Sequence, residues 1–254
     1  MSTALAQQPG VSQRDAGSLA LADAVATTRN KLLALLPGAE LERVMAVSTL
    51  VTIKSREVLF RPGGQIDHAL FPEDSVISLV THLEDGDAVE AMTVGNDGFT
   101  AIALLNGVGS MNCEGVGQVT GKAWRIARLD FVSLFPDCPE LVRVLHRYSQ
   151  LVFETVSQSA ACNRLHLVEQ RCARWILMSH DRVGRSTFDL TQQFLSQMLG
   201  VRRAGVTVAM GHLERQGLLT HGRGWISVAN RQGLEAVSCE CYGVICEREK
   251  KILC

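Results

Sequence analysis

Apolar and polar residues alternate in short runs between Val47 and Ile126, and this texture differs from the rest of the chain. Period-two alternation bounded by Gly, Asn and Asp is typical of strands joined by tight turns. The Asp85-Gly86 pair between two of the runs predicts a hairpin. Seven short strands at this spacing predict an antiparallel jelly roll or double-stranded β-barrel. The predicted strands are Leu50–Ile53, Val58–Phe60, Ala69–Phe71, Val76–Leu83, Val89–Val94, Val116–Thr120 and Ala123–Ile126.

Helical periodicity lies on both sides of this β-rich region. Asn30 is a candidate N-cap for a short helix over Lys31–Leu36. From Leu141 onward apolar residues fall three or four apart, which predicts a long amphipathic helix. Two interpretations stay open: the helix packs on its own β-domain, or it pairs with its twin in a dimer. The predicted dimer stripe is Leu141, Val144, Tyr148, Leu151 and Thr155.

Two short helices separated by Gly200 are predicted between Thr191 and Gly217. Thr191 is a candidate N-cap for the first helix. Gly200 stands where a tight turn between helices needs a positive φ. A second helix over about 202–216 then ends before Gly217. This arrangement predicts a helix-turn-helix that reads double-stranded DNA.

The exposed start of the second helix is the predicted reading edge. Side chains at that position reach base edges in the major groove, and arginine donates two hydrogen bonds to guanine. Two strands, 218–220 and 225–228, flank Gly222-Arg223-Gly224, which predicts a wing whose tip touches phosphate. The predicted DNA-binding residues are Arg202, Arg203, Gly205, Thr207, Thr191, Gln192 and Arg223.

Charge is distributed unevenly along the 254-residue chain, whose formal net charge is −1. From Arg164 to Arg231 there are ten arginines, no lysine and four acidic residues, a net charge of +6, so the remainder carries −7. A basic module joined to an acidic one is typical of nucleic-acid binding. No apolar run approaches the ~20 residues of a membrane helix, and no secretory signal is seen, so a cytoplasmic protein without a membrane partner is expected.

The eight cysteines are irregularly spaced, which favours free thiols in a reducing compartment over a disulfide framework. Four of them follow the predicted wing: Cys239, Cys241, Cys246 and Cys254. Thiolates suit zinc, but this spacing matches none of the usual knuckles and no histidine nearby in sequence completes a set. No metal site is therefore predicted, and a structural zinc or a thiol switch stays as the minor alternative.

The order of these modules resembles the Crp–Fnr superfamily of bacterial transcription regulators over about residues 30–238. The segments that carry the likeness are Leu32–Glu42, Arg61–Gly64, Val94–Gly98 and Phe194–Gly217. The resemblance implies an α+β protein with a jelly-roll sensor, a long dimerisation helix and a C-terminal winged helix-turn-helix. It further implies a homodimer on a two-fold-symmetric operator, with RNA polymerase as a candidate protein partner.

The sensor departs from the cyclic-nucleotide-binding members of that superfamily. Those members hold the phosphate with a Gly-Glu pair and, about ten residues later, an Arg followed by Ser or Thr. Here residues 110–113 contain no arginine, and an unpaired phosphate inside the sensor would cost several kcal/mol. A cyclic nucleotide is therefore disfavoured, and so is an N-terminal iron–sulfur cluster, because no cysteine precedes Cys113. The positions left as effector-pocket candidates are Val94, Asn96, Asp97, Gly98, Asn112 and Cys113.

The recognition helix departs as well, since Arg203 is followed by Ala204 and then Val208 where the cyclic-AMP receptor type presents Glu and a second Arg. A different operator is expected. The predicted organisation is a tail over 1–28, a sensor over 29–136, a dimerisation helix over 137–163, a winged domain over 164–238 and a cysteine-containing tail over 239–254. Two alternatives remain: a cupin-like metal enzyme using His68, His82 and Glu90, and a winged helix that contacts protein.

Overall fold

A computed structural model describes residues 28–253 of the chain. The predicted tail over 1–28 lies outside the described residues apart from Thr28, and Cys254 lies outside them too. Helices and antiparallel sheets are both present, as predicted, and no helix in the described part is long and apolar enough to cross a bilayer.

All seven strands predicted between residues 47 and 126 are present, in two antiparallel sheets. The first sheet has the order β1 (Ser48–Ile53), β7 (Gly121–Ala127), β3 (His68–Pro72). The second has the order β2 (Val58–Phe60), β6 (Glu114–Val119), β4 (Val76–His82), β5 (Ala88–Val94). Apolar side chains from both sheets share one buried cluster. The strands make a jelly roll of two sheets, as predicted, although the two sheets are not hydrogen-bonded to each other into a closed barrel in the described residues.

Four short helices share a buried apolar cluster with the first sheet: α1 (Lys31–Ala34), α2 (Gly38–Ala46), α3 (Ile102–Leu105) and α4 (Arg128–Ser133). Asn30 is the N-cap of α1, as predicted, and its buried side chain accepts hydrogen bonds from the backbone of Leu32 and Leu33. The same side chain donates to the carbonyls of Pro72 and Gly98, at 2.9 and 3.0 Å. One asparagine therefore ties the first helix to the sensor sheet.

The long helix α5 spans Pro139–Leu165, 27 residues or roughly 40 Å at 1.5 Å per residue. The stripe predicted to form a dimer contact is buried within the chain itself, so that assignment is wrong for this face. The Tyr148 ring, for example, packs against Phe99 with centroids 5.5 Å apart. Of the two interpretations, packing on the chain's own core is the one the stripe shows. The buried side chains are Leu141, Val144, Tyr148, Leu151 and Thr155.

After a short break, α6 (Val168–Val183) leads into the C-terminal module and ends at Gly184 with φ +67°. The module contains α7 (Gln192–Leu199), α8 (Arg203–Arg215) and a sheet of order β8 (Thr187–Asp189), β10 (Trp225–Val228), β9 (Leu219–Gly222). Its apolar core continues without interruption into the sensor, because Val76, Val80 and Val119 belong to the same buried cluster as Ile176 and Leu177.

The segment 239–254 is not a tail. After α9 (Arg231–Val237), residues Cys241–Leu253 form a helix, α10, that packs along α5. Its own residues Ile245 and Leu253 are buried, and Glu249 of the same helix forms an ion pair with Lys31 at 2.5 Å. Burial of apolar side chains therefore packs this segment against the rest of the chain. Its cysteines and charged residues obscure the helical periodicity in the sequence, so the sequence predicts no helix there.

Candidate nucleic-acid interface

The turn between α7 and α8 has the geometry that the sequence predicts. The Thr191 hydroxyl accepts a hydrogen bond from the Phe194 backbone at 3.1 Å, so it caps α7 and satisfies one of the helix's free N–H groups. Gly200 ends α7 in the left-handed conformation, φ +60° and ψ +41°. The chain then enters α8 through Arg202 in an extended conformation.

One face of α8 is buried and the opposite face is free for a ligand. Val206, Ala209 and Leu213 face the core, whereas Arg202 and Arg203 are exposed. Neither arginine has a carboxylate partner among residues 28–253, so both guanidinium groups are available for phosphate or base edges. A Cβ added at Gly205 would meet no atom within 4 Å, so this position opens onto the same free surface.

The two helices are joined by side chains at this surface. The Thr207 hydroxyl lies 2.8 Å from Gln192 Oε1 and 3.1 Å from the Arg203 carbonyl, and it can donate to either. Gln192 is the first residue of α7, so the contact fixes the start of one helix against the second turn of the other. Of the seven predicted residues, Thr191 acts as a cap and is half-buried, as are Gln192 and Gly205. The exposed ones are Arg202, Arg203, Thr207 and Arg223.

The wing follows, with Arg223 exposed at the tip of the β9–β10 turn. Gly224 has φ +92°, and the Trp225 ring lies where a Cβ on Gly222 would be, so both glycines are needed by this turn. Within the described chain no carboxylate pairs with Arg223. A third unpaired guanidinium therefore stands beside the reading helix.

Asp97, one of the residues predicted to line an effector pocket, instead holds the two modules together. Asp97 binds Arg182 of α6 through Nη2–Oδ2 at 2.8 Å, and both side chains are buried. Burial alone would raise the pKa of Asp97, but the Arg182 guanidinium outweighs it and holds that pKa below its usual value. Val94 is buried in the sensor core and Gly98 lies against the Tyr148 ring. These positions therefore face protein rather than a ligand cavity.

Asn112 and Cys113 lie apart from the other effector-pocket candidates. Both lie just before β6, with Asn112 exposed and Cys113 half-buried against the sensor core. The six effector candidates thus fall into two separate places in the fold.

A second polar contact between the modules runs through Glu90 of β5. Its carboxylate accepts hydrogen bonds from the Trp175 indole at 3.0 Å and the Ser78 hydroxyl at 2.7 Å. Burial raises the pKa of Glu90 to about 7, against the effect of those two donors. Beside it, Gln118 donates to the Ser179 hydroxyl at 3.1 Å. Sensor sheet and α6 are therefore held by a buried polar network in which one group titrates near neutral pH.

The three residues of the cupin-like alternative do not converge. His68 is on β3 of the first sheet and exposed, and His82 pairs with Glu114 at the end of β4. Glu90 is bonded to Trp175 in the module junction. Across residues 28–253, one group of three or more metal-ligating side chains is close enough to share an ion, and it contains none of these three.

That group consists of Cys162 and His166 at the end of α5 together with two of the C-terminal cysteines, Cys239 and Cys241. No histidine lies near these cysteines in sequence, but the fold supplies His166 from 73 residues before Cys239. Cys246 stays apart on α10 and is half-buried.

Comparison with known proteins agrees with this architecture. Residues 170–237 match the model of the Crp-like helix-turn-helix domain. This region therefore matches a Crp-like helix-turn-helix domain, and about three quarters of the chain shares the fold of solved regulators of the CRP family. FixK2 from Bradyrhizobium japonicum is similar over 76% of this chain and 98% of its own, with 15% identity and a TM-score of 0.64. No curated protein sequence matches the chain.

Two further solved structures show the same fold. A CRP-family transcriptional regulator from Thermus thermophilus is 14% identical over 74% of this chain and 96% of its own, with a TM-score of 0.62. The c-di-GMP responsive global regulator CLP from Xanthomonas campestris is 16% identical over 76% of this chain and 99% of its own, with a TM-score of 0.58. At these identities the likeness establishes the fold.

Proposed function

We propose that this protein is a sequence-specific, DNA-binding transcription regulator that acts as a homodimer on a two-fold-symmetric operator. The observation that carries the proposal is that Arg202 and Arg203 lie at the exposed start of α8 in a region that matches a Crp-like domain. Neither has a carboxylate partner among the described residues. A recognition helix enters the major groove by this end, and Arg223 on the wing is placed to reach phosphate. The bacterial cytoplasm is where such a regulator would meet its promoters and RNA polymerase.

The dimer face that we propose is the outer side of α5, opposite the buried stripe. Exposed residues recur there every three or four positions, and Phe153 is 69% exposed at the centre. A cleft of about 380 Å³ beside it is lined by Val244 and Ile245 of α10. An exposed aromatic residue over an apolar cleft is a typical anchor for a second copy. The outward positions are Arg143, His146, Gln150, Phe153, Ser157, Ala160 and Arg164.

Control by the sensor is proposed to act through the contacts between the sensor and α6. The turn 94–98 meets Arg182, and Gly200 of the helix-turn-helix lies against Val89 of β5. A cleft lined by Asp87 and Val89 of the sensor hairpin also contains Arg202 and Arg203. A signal that shifts this packing would change the exposure of the reading edge. Cyclic nucleotide is not assigned as that signal, because residues 110–113 lack the phosphate-binding arginine.

Selection of genomic fragments by the purified full-length protein, followed by sequencing, tests the central proposal. An enriched two-fold-symmetric motif is expected, with half-sites about 34 Å apart. Arg203→Ala should cost roughly 1–3 kcal/mol on that motif and relax the preference at one base pair, whereas Arg223→Ala should weaken all sequences alike. Arg61→Ala, an exposed arginine of the sensor, is the matched control. Unchanged specific binding by Arg203→Ala would show that this register of the recognition helix is wrong.

A further inference from the structure

Four metal-ligating side chains meet where α5 ends and α10 begins. Cys162 lies in the last turn of α5, and His166 follows that helix directly. Cys239 lies two residues before α10, and Cys241 is the first residue of α10. Their ligand atoms all lie within 4.8 Å of one another. The Sγ atoms of Cys162 and Cys239 are 3.5 Å apart, and Cys241 Sγ is 3.5 Å from His166 Nδ1.

These separations match the edges of a small tetrahedron. With Zn–S bonds of about 2.3 Å and a Zn–N bond of about 2.0 Å, tetrahedral geometry places two sulfurs roughly 3.8 Å apart and a sulfur and nitrogen roughly 3.5 Å apart. We propose that Cys162, His166, Cys239 and Cys241 bind one Zn²⁺ ion in a closed Cys₃His structural site. The site stands on its own geometry and does not depend on DNA binding.

The surroundings orient the ligands as the outer contacts of a zinc site do. His166 Nε2 lies 3.2 Å from the Glu240 carboxylate, which leaves Nδ1 free to face the thiols. A carboxylate that accepts the second ring N–H fixes the tautomer and the plane of a ligating histidine. Gln158 Nε2 lies 3.0 Å from Cys241 Sγ and donates to that sulfur. The donor set and two neighbours that hold it are thus already in place.

The local charge also calls for an anion at this point. Arg171 and Arg174 are each 6% exposed, and neither has a carboxylate partner in the described part of the chain. The Nε atom of each is buried without a hydrogen bond. Both guanidinium groups act electrostatically on Cys162. Three thiolates, a neutral imidazole and Zn²⁺ sum to −1, so the loaded site supplies a counter-charge to two buried cations that otherwise carry a large cost.

Binding requires no electron transfer. Zn²⁺ replaces the protons that remain on the three thiols, and those protons are released to solvent. The imidazole binds through its Nδ1 lone pair. The competing chemistry is a disulfide between Cys162 and Cys239, which would need an oxidant. That bond would use two of the four ligands and leave His166, Glu240 and the two arginines without a role. A disulfide is therefore an outcome of the test rather than the proposal.

The ion would join the end of α5 to the chain that leaves the winged domain. Cys162 precedes α6, and Cys239 follows α9, so the site closes the base of the whole DNA-binding module. Its position predicts that zinc restrains the angle between that module and α5.

The test uses full-length protein purified under reducing conditions, with zinc measured by elemental analysis. One zinc per chain is expected. After chelation, Co²⁺ should bind 1:1 with the visible bands of a tetrahedral thiolate site and be displaced by Zn²⁺. Cys162→Ser, Cys239→Ser and Cys241→Ser should each abolish those bands. Cys246→Ser and Cys113→Ser are matched controls and should retain them.

Glu240→Gln keeps the proposal testable if a cysteine variant does not fold, because Glu240 is exposed. It should fold normally and weaken Co²⁺ binding by roughly 10–100-fold, the usual effect of removing a partner of a ligating histidine. The proposal is overturned if the folded wild-type protein holds no stoichiometric zinc and gives no tetrahedral cobalt spectrum. A Cys162–Cys239 disulfide in metal-free protein, or stoichiometric iron and sulfide, would overturn it equally. None of these results bears on the operator selection, so the two proposals fail separately.

Discussion

Replacing Asp97 with alanine is expected to destabilise the protein by about 3–5 kcal/mol, the cost of leaving a buried charge unpaired. The Asp97 and Arg182 side chains are 11% and 8% exposed. Arg182 donates to both carboxylate oxygens, through Nε at 3.0 Å and Nη2 at 2.8 Å. Thr93 is its remaining polar partner and is neutral, so the guanidinium would stay buried without a counter-ion.

The assay is denaturant unfolding of Asp97→Ala, Arg182→Met and the double variant, followed by both far-UV circular dichroism and tryptophan fluorescence. Since a buried pair couples, the double variant should cost well under the sum of the two single changes. Because the folded-state pKa of Asp97 is depressed, its contribution is present above the unfolded pKa of about 3.9 and is lost as pH falls below it. A cost under 1 kcal/mol for Asp97→Ala, or strict additivity, would refute the reasoning.

Three further changes test other contacts. Glu90→Gln should flatten the pH dependence of stability. Burial raises the pKa of Glu90 to about 7, so the native state loses up to about 3 kcal/mol of stability as pH rises from about 4.5 to 7. An unchanged dependence of the unfolding free energy on pH, measured with urea at each pH, would refute this. Gly200→Ala should cost about 1 kcal/mol or more, since φ is +60° and Val89 lies 3.2 Å from the new Cβ, and thermal unfolding with Gly205→Ala as the control measures it. Phe153→Glu should shift sedimentation toward monomer. Leu129→Glu, a change at an exposed apolar residue of α4 away from that face, should not, and a dimer in both variants would exclude the proposed face.

The helix-turn-helix was predictable because its signals are local. The Thr191 cap, the left-handed Gly200 and the Gly222-Arg223-Gly224 turn each act within four residues, and the structure shows all three as expected. The seven strands were predictable for the same reason, through alternation and turn residues. Periodicity shows that a helix has an apolar face but not what covers it, so the stripe along α5 suggests a second copy as readily as the chain's own core.

The Cys₃His cluster was beyond reach of the sequence for a related reason. His166 and Cys239 are far apart along the chain, and the spacing of Cys239 and Cys241 matches no metal motif. Only the packing of α10 along α5 brings the two halves together. The four buried or half-buried ligands therefore exist as a set only after the helices have docked.

The control by a signal that we propose has to act through the junction between the sensor and the winged domain. The winged domain shares its apolar core with the sensor through Val76, Val80 and Val119, so separating the two would expose fully buried valines at roughly 1.5–3 kcal/mol each. Separation would also break the ion pair between Arg182 and Asp97. Small ligands cannot readily supply that much differential binding energy, because moving a two-state equilibrium from 1:99 to 99:1 already takes about 5.5 kcal/mol. A signal in this protein is therefore expected to act by sliding the helix-turn-helix against the β4–β5 hairpin, where Gly200 meets Val89, while the shared core stays closed.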